Sequence, residues 1–168
     1  DNIGHTWKYR INFKWQPLEA LYGWGSHMED YMNLRGKELY LCQHNLKAMV
    51  PVLNSTAGYG LLFDAGCAMM FKDNSEGSFV ELEAAKQIDY YFMKGKTMDA
   101  VVANYRMLTG NSPMMPLYLF GYIQCKERYV SSDDLINTLK EYRQRQIPID
   151  MIVQDWNYWP EGQWGNMS

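Results

Sequence analysis

The sequence predicts a β-rich α/β chain in which an antiparallel β-sandwich precedes a single βαβ unit. Over residues 7–93, short segments of strand character are separated by Gly, Asn, Pro and Asp, which is the pattern of a sandwich. The spacing of apolar residues becomes helical after Thr97, and a strand, a helix and a second strand are expected over residues 117–154.

The first predicted strand covers residues 7–15, where apolar and polar side chains alternate without a break. Strict alternation places the aromatic and aliphatic side chains on one buried face and the charged ones in water. Further strands are expected near residues 38–43, 49–54, 59–64, 67–72, 78–83 and 87–93. The segment Gly23-Trp24-Gly25 is expected to be a turn because glycines flank it.

Thr97 is a candidate N-cap for a helix over residues 98–108 with an apolar stripe. Thr109-Gly110 ends this helix, and the two prolines that follow suggest a domain junction at about residue 112. Residues 117–122 form an apolar run without polar alternation, as expected for a strand covered on both sides.

A helix is expected between an N-cap at Ser131 or Ser132 and Pro148, followed by a buried strand over residues 149–154. The two strands that flank it should be parallel, with a right-handed connection. Asp155 then stands at the carboxyl end of the second strand, which is the end that faces the active site in α/β barrels.

Composition excludes several classes of function. The net charge of −3 and the absence of a Lys/Arg cluster argue against nucleic acid as a partner. No run of 18 apolar residues is present to span a membrane. The three cysteines form no CxxC pair and are expected to be buried thiols, so neither a disulfide scaffold nor a zinc site is predicted. No phosphate-binding or dinucleotide-binding motif occurs, and no cofactor is expected.

Asp155 is the strongest pointer to a binding site. Three aromatic side chains follow it within four residues: Trp156, Tyr158 and Trp159. A carboxylate accepts hydrogen bonds from sugar hydroxyls, and aromatic rings stack on the apolar faces of pyranoses. The alternative is an aspartate that caps a loop, with tryptophans that fill a core.

Four stretches of the chain resemble family 31 of the glycoside hydrolases. They occur in order along nearly the whole chain: residues 21–25 (LYGWG) with 33–37 (NLRGK); residues 55–64 (STAGYGLLFD); residues 90–92 through 104–110 (NYRMLTG) to 113–116; and residues 142–143 through 147–150 (IPID) to 154–156 (QDW).

The resemblance implies an N-terminal β-sandwich, a catalytic (β/α)8 barrel and C-terminal β domains. Residues 1–112 then correspond to the later part of the sandwich, and residues 113–168 to the start of a truncated barrel. Family chemistry is retaining hydrolysis of α-glycosides by a carboxylate nucleophile and a carboxylic acid/base about 5–5.5 Å apart. The chain holds neither motif, so we expect an internal fragment, inactive alone, without the natural N-terminus.

The resemblance also implies three substrate-binding residues. Asp155 matches the family's aspartate that binds the sugar in the −1 subsite. Trp156 occupies the position that shapes that pocket, where an indole would crowd the hydroxymethyl group of glucose and admit xylose. Asn45 stands where a loop of the sandwich commonly carries an aspartate, so a hydrogen bond is kept and a charge is lost. His27 and Glu29 resemble a metal pair but have no third ligand, and no metal site is expected.

The preferred function is therefore that of an α-xylosidase acting on α-linked oligosaccharides. An α-glucosidase or α-transglucosylase of the same family, an inactive member with a binding role, and a non-catalytic carbohydrate-binding module remain alternatives. The unpaired strand edges of a partial fold lead us to expect self-association. The family resemblance implies a periplasmic or secreted location.

Overall fold

A computed structural model describes residues 4–166 and divides the chain into two compact units, with the boundary between Ser112 and Pro113. Each unit is described by itself. The first contains two antiparallel sheets, and the prediction of a β-rich chain with antiparallel sheets is confirmed. Its strands are β1 (Trp7–Phe13), β2 (Leu21–Ser26), β3 (Glu38–Leu41), β4 (Ala48–Ser55), β5 (Tyr59–Phe63), β6 (Met69–Asn74), β7 (Gly77–Ala85) and β8 (Tyr90–Lys94).

The two four-stranded sheets have the orders β1-β7-β6-β3 and β2-β4-β5-β8. One hydrophobic cluster takes its side chains from both sheets, as in a β-sandwich. At its centre the Trp24 ring lies 5.7 Å from Phe63 of one sheet and 6.0 Å from Phe71 of the other. Tyr9, Ile11 and Phe13 pack against this cluster, which agrees with the face predicted from the alternation in β1.

Strand β2 corrects the prediction of a turn at Gly23-Trp24-Gly25. Gly23 pairs with Leu53 and Gly25 with Met49, so one residue of β2 lies opposite three of β4; the register shifts there, and the extra residues of this bulge belong to β4. Gly23, Trp24 and Gly25 all have positive φ angles, of 123°, 63° and 94°. A Cβ on Gly25 would lie 1.9 Å from the Ala48 carbonyl oxygen, so glycine is required by close approach of two strands rather than by a turn.

Helix α1 (Met98–Thr109) begins where Thr97 Oγ1 accepts a hydrogen bond from the Ala100 amide at 3.2 Å, as predicted. Val101 is fully buried against β4 and β8. The expected apolar stripe is only partly used, because Val102 and Leu108 are exposed. The helix packs against the sheet through Val101 and, one turn later, Tyr105.

The second unit contains a parallel pair of strands, β9 (Ile123–Lys126) and β10 (Met151–Gln154), joined by helix α2 (Ser132–Gln144). The prediction of a strand over residues 117–122 is wrong, because Leu117–Phe120 form a 3-10 helix. Pro116 precedes it, and the hydrogen bond from the Leu119 amide to the Pro116 carbonyl closes its first turn at 3.1 Å. Leu117 is 86% exposed, so this run is not covered on both sides.

Ser131 is the N-cap of helix α2, and its Oγ accepts a hydrogen bond from the Asp134 amide at 3.1 Å. The Asp134 carboxylate accepts from the Val130 amide at 3.2 Å and pairs with Lys126 at 3.4 Å. These contacts fix the connection between β9 and α2. Within residues 4–166, no helix is long and apolar enough to cross a bilayer.

The cysteines differ from the expectation of buried thiols. Cys125 is exposed on β9, while Cys42 and Cys67 are half-buried near the ends of β3 and β6. Cys125 lies in β9, where three of the four residues are exposed. All three are free thiols.

Candidate functional site

Asp155 lies immediately after β10, at the carboxyl end of the parallel pair. The pairing of Gln154 with Lys126 shows that β9 ends at the same edge. Asp155 is exposed, and its Oδ1 accepts a hydrogen bond from the Trp156 amide at 2.7 Å. This local bond orients the carboxylate where ligands approach in α/β folds.

The aromatic residues after Asp155 form a surface cluster of rings. Trp156 is 46% exposed, and its ring lies 6.1 Å from Trp159 and 5.9 Å from Trp164. Trp159 and Trp164 approach to 4.6 Å in an edge-on arrangement, which is a favourable geometry for aromatic pairs. Asn157 turns the chain between them with a φ of 63°. The exposure of Trp156 argues against the alternative in which the tryptophans fill a core.

Tyr122, Gln124 of β9 and Tyr142 of α2 form a hydrogen-bond network beside the parallel pair. The sequence analysis did not predict this network. Gln124 Oε1 accepts hydrogen bonds from the hydroxyls of Tyr122 and Tyr142, the latter at 2.8 Å. The neighbouring Tyr122 hydroxyl raises the pKa of Tyr142. The Asp150 carboxylate accepts from the Tyr122 amide at 3.1 Å, and a Cβ on Gly121 would collide with it at 2.0 Å. The sequence features that could have indicated the Asp150 contact are the glycine at position 121, directly before Tyr122, and the aspartate that follows Ile149.

Asn45 is exposed in the turn between β3 and β4, in the first unit. The amide of Gln43 closes this loop by accepting from the Met49 amide at 2.9 Å and donating to the Lys47 carbonyl. His44 Nδ1 lies 2.7 Å from the Asn45 carbonyl oxygen. The Asn45 backbone is thereby held in a closed loop. Asp155 and Trp156 belong to the second unit.

A second group that the sequence did not reveal is a buried polar network around Glu19, in the first unit. Glu19 is 7% exposed, and its carboxylate accepts hydrogen bonds from Ser55 at 2.5 Å, Tyr59 at 2.6 Å and the Gln16 amide at 2.7 Å. Burial raises the pKa of Glu19, but these bonds and the charge of Arg35 outweigh burial and hold the pKa below its ordinary value.

Arg35 links Glu19 to a second buried carboxylate. Its guanidinium donates to the Glu19 carbonyl at 2.7 Å and to Asp73 at 3.0 Å. Burial raises the pKa of Asp73, and the hydrogen bonds from Ser78, Gly36 and Arg35 more than reverse that effect. Burial and the Glu19 carboxylate together raise the pKa of Tyr59 well above its usual range. The carboxylates of Glu19 and Asp73 are therefore ionised at neutral pH, and their hydrogen bonds stabilise the first unit.

The structure offers no cluster for a metal ion among the residues it describes. Glu29 pairs with Lys47 at 3.5 Å, and His27 Nε2 lies 2.8 Å from the Trp24 carbonyl oxygen. Each of the two side chains that resemble a metal pair in the sequence therefore has a contact of its own within the protein.

Comparison with known proteins gives matches over both units. The family model "Glycosyl hydrolases family 31 TIM-barrel domain" matches residues 112–168. An α-xylosidase of Saccharolobus solfataricus is 35% identical over 95% of the chain, and an uncharacterized family 31 glucosidase of Pseudescherichia vulneris is 30% identical over 96%. The chain spans 23% and 31% of these two proteins.

A solved structure of similar fold is a family 31 α-xylosidase from a soil metagenome, complexed with xylose. It superimposes on 94% of the chain with a TM-score of 0.83 and 32% sequence identity. The chain covers 23% of that protein. The similarity therefore extends across both units of the chain and concerns a part of each larger relative.

Proposed function

Because the chain belongs to family 31 of the glycoside hydrolases, we propose that it forms part of a retaining α-glycosidase that prefers α-xylosides. The observation that carries this proposal is the Asp155 carboxylate at the end of β10, with an exposed indole directly after it. The similarity to α-xylosidases over almost the whole chain supports the choice of xylose.

Each of three residues has a proposed role toward an α-linked oligosaccharide. Asp155 accepts hydrogen bonds from hydroxyls of the sugar whose bond is cleaved, and a charged acceptor makes these bonds strong. Trp156 forms a wall that excludes the hydroxymethyl group of glucose. Asn45 contributes a neutral hydrogen bond. None of them is proposed as the nucleophile or the acid/base.

We further propose that residues 113–168 form the opening of a (β/α)8 barrel and that residues 1–112 form the later part of the preceding β-sandwich. The parallel pairing of β9 with β10 through α2 is what a barrel's first βαβ unit requires. Ile123 of β9 is exposed and the apolar side chains of β10 are only half-buried, which supports self-association of the isolated chain. The isolated chain is expected to be catalytically inert.

An α-glucosidase or α-transglucosylase is the second candidate, favoured by the similarity to a family 31 glucosidase. It differs in accepting the hydroxymethyl group of glucose beside Trp156. A carbohydrate-binding module without catalysis is the third, favoured by the exposed rings of Trp156 and Trp164. A module of this kind has no need of the parallel β9–β10 pair.

The test is hydrolysis of p-nitrophenyl α-xyloside and α-glucoside by this 168-residue chain and by the complete protein. We expect no turnover by the chain and faster cleavage of the xyloside by the complete protein. Replacing Trp156 by Ala should shift the ratio of the two kcat/KM values roughly tenfold toward the glucoside, the size expected when a hydroxymethyl group is admitted to a pocket. Trp164→Ala is the matched control, since it removes an indole from the same cluster.

A complete protein that prefers the glucoside with Trp156 in place would refute the assignment of xylose. Turnover by the 168-residue chain would refute the proposal that the catalytic pair lies outside it. Equal effects of Trp156→Ala and Trp164→Ala would show that the cluster acts through folding rather than through contact with the sugar.

A further inference from the structure

A cavity of about 310 Å³ lies beside Gly23 and Gly25 of β2, entirely within the first unit. Tyr22, His27 and Tyr31 line its walls, Leu34 lies at its buried end, and Glu29 stands at its rim. This volume is at the lower end of the range of small-molecule pockets. None of the residues proposed to bind the substrate of the glycosidase lines it.

The cavity lies where the pairing of β2 with β4 is irregular. Trp24, with a left-handed φ of 63°, turns its ring into the core. Gly23 and Gly25 on either side have no side chains and press against the backbone of β4. Bulges re-aim side chains and occur often beside binding sites, and left-handed non-glycine residues concentrate at functional sites.

His27 supplies an unused hydrogen-bonding group. Its Nε2 lies 2.8 Å from the Trp24 carbonyl oxygen, which can only accept, so Nε2 carries the hydrogen. The other ring nitrogen, Nδ1, is then an acceptor. It is buried and has no partner within the part of the chain that the structure describes. Buried polar atoms in native proteins nearly always have partners, so this acceptor is available to a donor.

The other polar groups of the cavity also favour a donor of hydrogen bonds. The Glu29 carboxylate stands at the rim and pairs with Lys47 at 3.5 Å. Burial, together with the nearby Glu29 charge, raises the pKa of Tyr31, so its hydroxyl keeps its proton. A neutral compound with several hydroxyls satisfies both acceptors and can place an apolar face on a tyrosine ring.

We propose that this cavity binds a neutral monosaccharide, with one hydroxyl donating to His27 Nδ1 and another to the Glu29 carboxylate. The site lies in the first unit and does not depend on Asp155. It gives the chain a second contact with sugars, separate from the one at which hydrolysis is proposed.

The test is a titration of the 168-residue chain with D-xylose and D-glucose, followed by the ¹⁵N signals of the His27 ring. We expect a saturable shift of the Nδ1 signal and saturation-transfer signals on the sugar. His27→Ala should weaken binding about fivefold or more, the loss of one hydrogen bond. His44→Ala is the matched control, because His44 is exposed in the loop after β3. Both variants and Asp155→Asn are first compared with the parent by near-ultraviolet circular dichroism.

Asp155→Asn should leave this binding unchanged, which separates the result from the proposed glycosidase site. If His27→Ala fails to fold, Glu29→Gln replaces it, with the same expected loss of affinity. The proposal is overturned if neither sugar shifts the His27 signals. It is also overturned if His44→Ala weakens binding equally, if only Asp155→Asn abolishes it, or if Zn²⁺ shifts Nδ1 while the sugars do not.

Discussion

Replacement of Glu19 tests the interpretation that its buried network stabilises the first unit. One carboxylate oxygen, Oε1, accepts from the Ser55 and Tyr59 hydroxyls, and the other, Oε2, accepts from the Gln16 amide. Glu19→Ala removes all three acceptors. Glu19→Gln keeps one oxygen for the two hydroxyls but turns an NH2 group toward the Gln16 N–H, so that two donors face each other.

The magnitudes follow from the number of donors left without an acceptor. A buried donor without a partner costs about 1–3 kcal/mol, and Ser55 is fully buried. Allowing for incomplete additivity, we expect Glu19→Ala to lower the free energy of unfolding by about 4 kcal/mol and Glu19→Gln by about 2 kcal/mol. A domain of ordinary stability has only about 5–15 kcal/mol to lose.

Urea denaturation of the parent chain and the variants, followed by circular dichroism, measures these differences. Glu76→Gln is the control, because Glu76 is exposed in the turn between β6 and β7 and its replacement should change stability by less than about 0.5 kcal/mol. Equal midpoints for Glu19→Gln and Glu76→Gln would refute the assigned role of the network.

The pH dependence gives an independent reading of the same contacts. The folded-state pKa of Glu19 lies below its ordinary value of 4.5, so the stabilisation is complete above that pH and is lost as the pH falls through the lowered pKa. Asp73 behaves in the same way from an ordinary value of 3.8. The parent should therefore lose stability on acidification more steeply than Glu19→Gln. An identical acid limb in both would contradict the assignment.

Three further changes have defined outcomes. Gly25→Ala should lower the free energy of unfolding, measured by urea denaturation, by more than about 3 kcal/mol, because the added Cβ collides with the Ala48 carbonyl and φ is positive. Gly66→Ala is the control and should change stability little, because the space around Gly66 is open. Ser131→Ala should cost about 1 kcal/mol through loss of the N-cap bond, measured in the same way. Asp155→Asn in the complete protein should lower kcat/KM for the xyloside roughly 10–100-fold with unchanged thermal stability, and an unchanged kcat/KM would remove Asp155 from the substrate site.

Local signals made much of the fold predictable. The alternation in β1 and the N-caps at Thr97 and Ser131 act over a few residues, and the structure contains the strand and helices that they indicate. The run 117–122 misled because an apolar segment without periodicity is compatible with strand or helix. Strand β2 was missed because its glycines lie opposite a bulge, and glycine spacing alone does not distinguish a bulge from a turn.

The site was less predictable than the fold. The position of Asp155 directly after β10 was predictable, but the strand that pairs with β10 lies at Ile123–Lys126 and not at residues 117–122. The ring cluster around Trp156 and the unpaired Nδ1 of His27 depend on loop geometry, which the sequence does not state. The Glu19 network joins side chains 36 and 40 positions apart, and such pairs leave no periodic signal in one sequence.

The three tryptophans after β10 also provide an intrinsic spectroscopic signal. Trp156, Trp159 and Trp164 lie with ring centres 4.6–6.1 Å apart, close enough for their electronic transitions to couple. Fixed aromatic packing of this kind produces a near-ultraviolet circular dichroism band that disappears when tertiary structure is lost. A sugar seated on the exposed Trp156 ring would change the emission of the whole group, so occupancy of the second unit can be followed without a label.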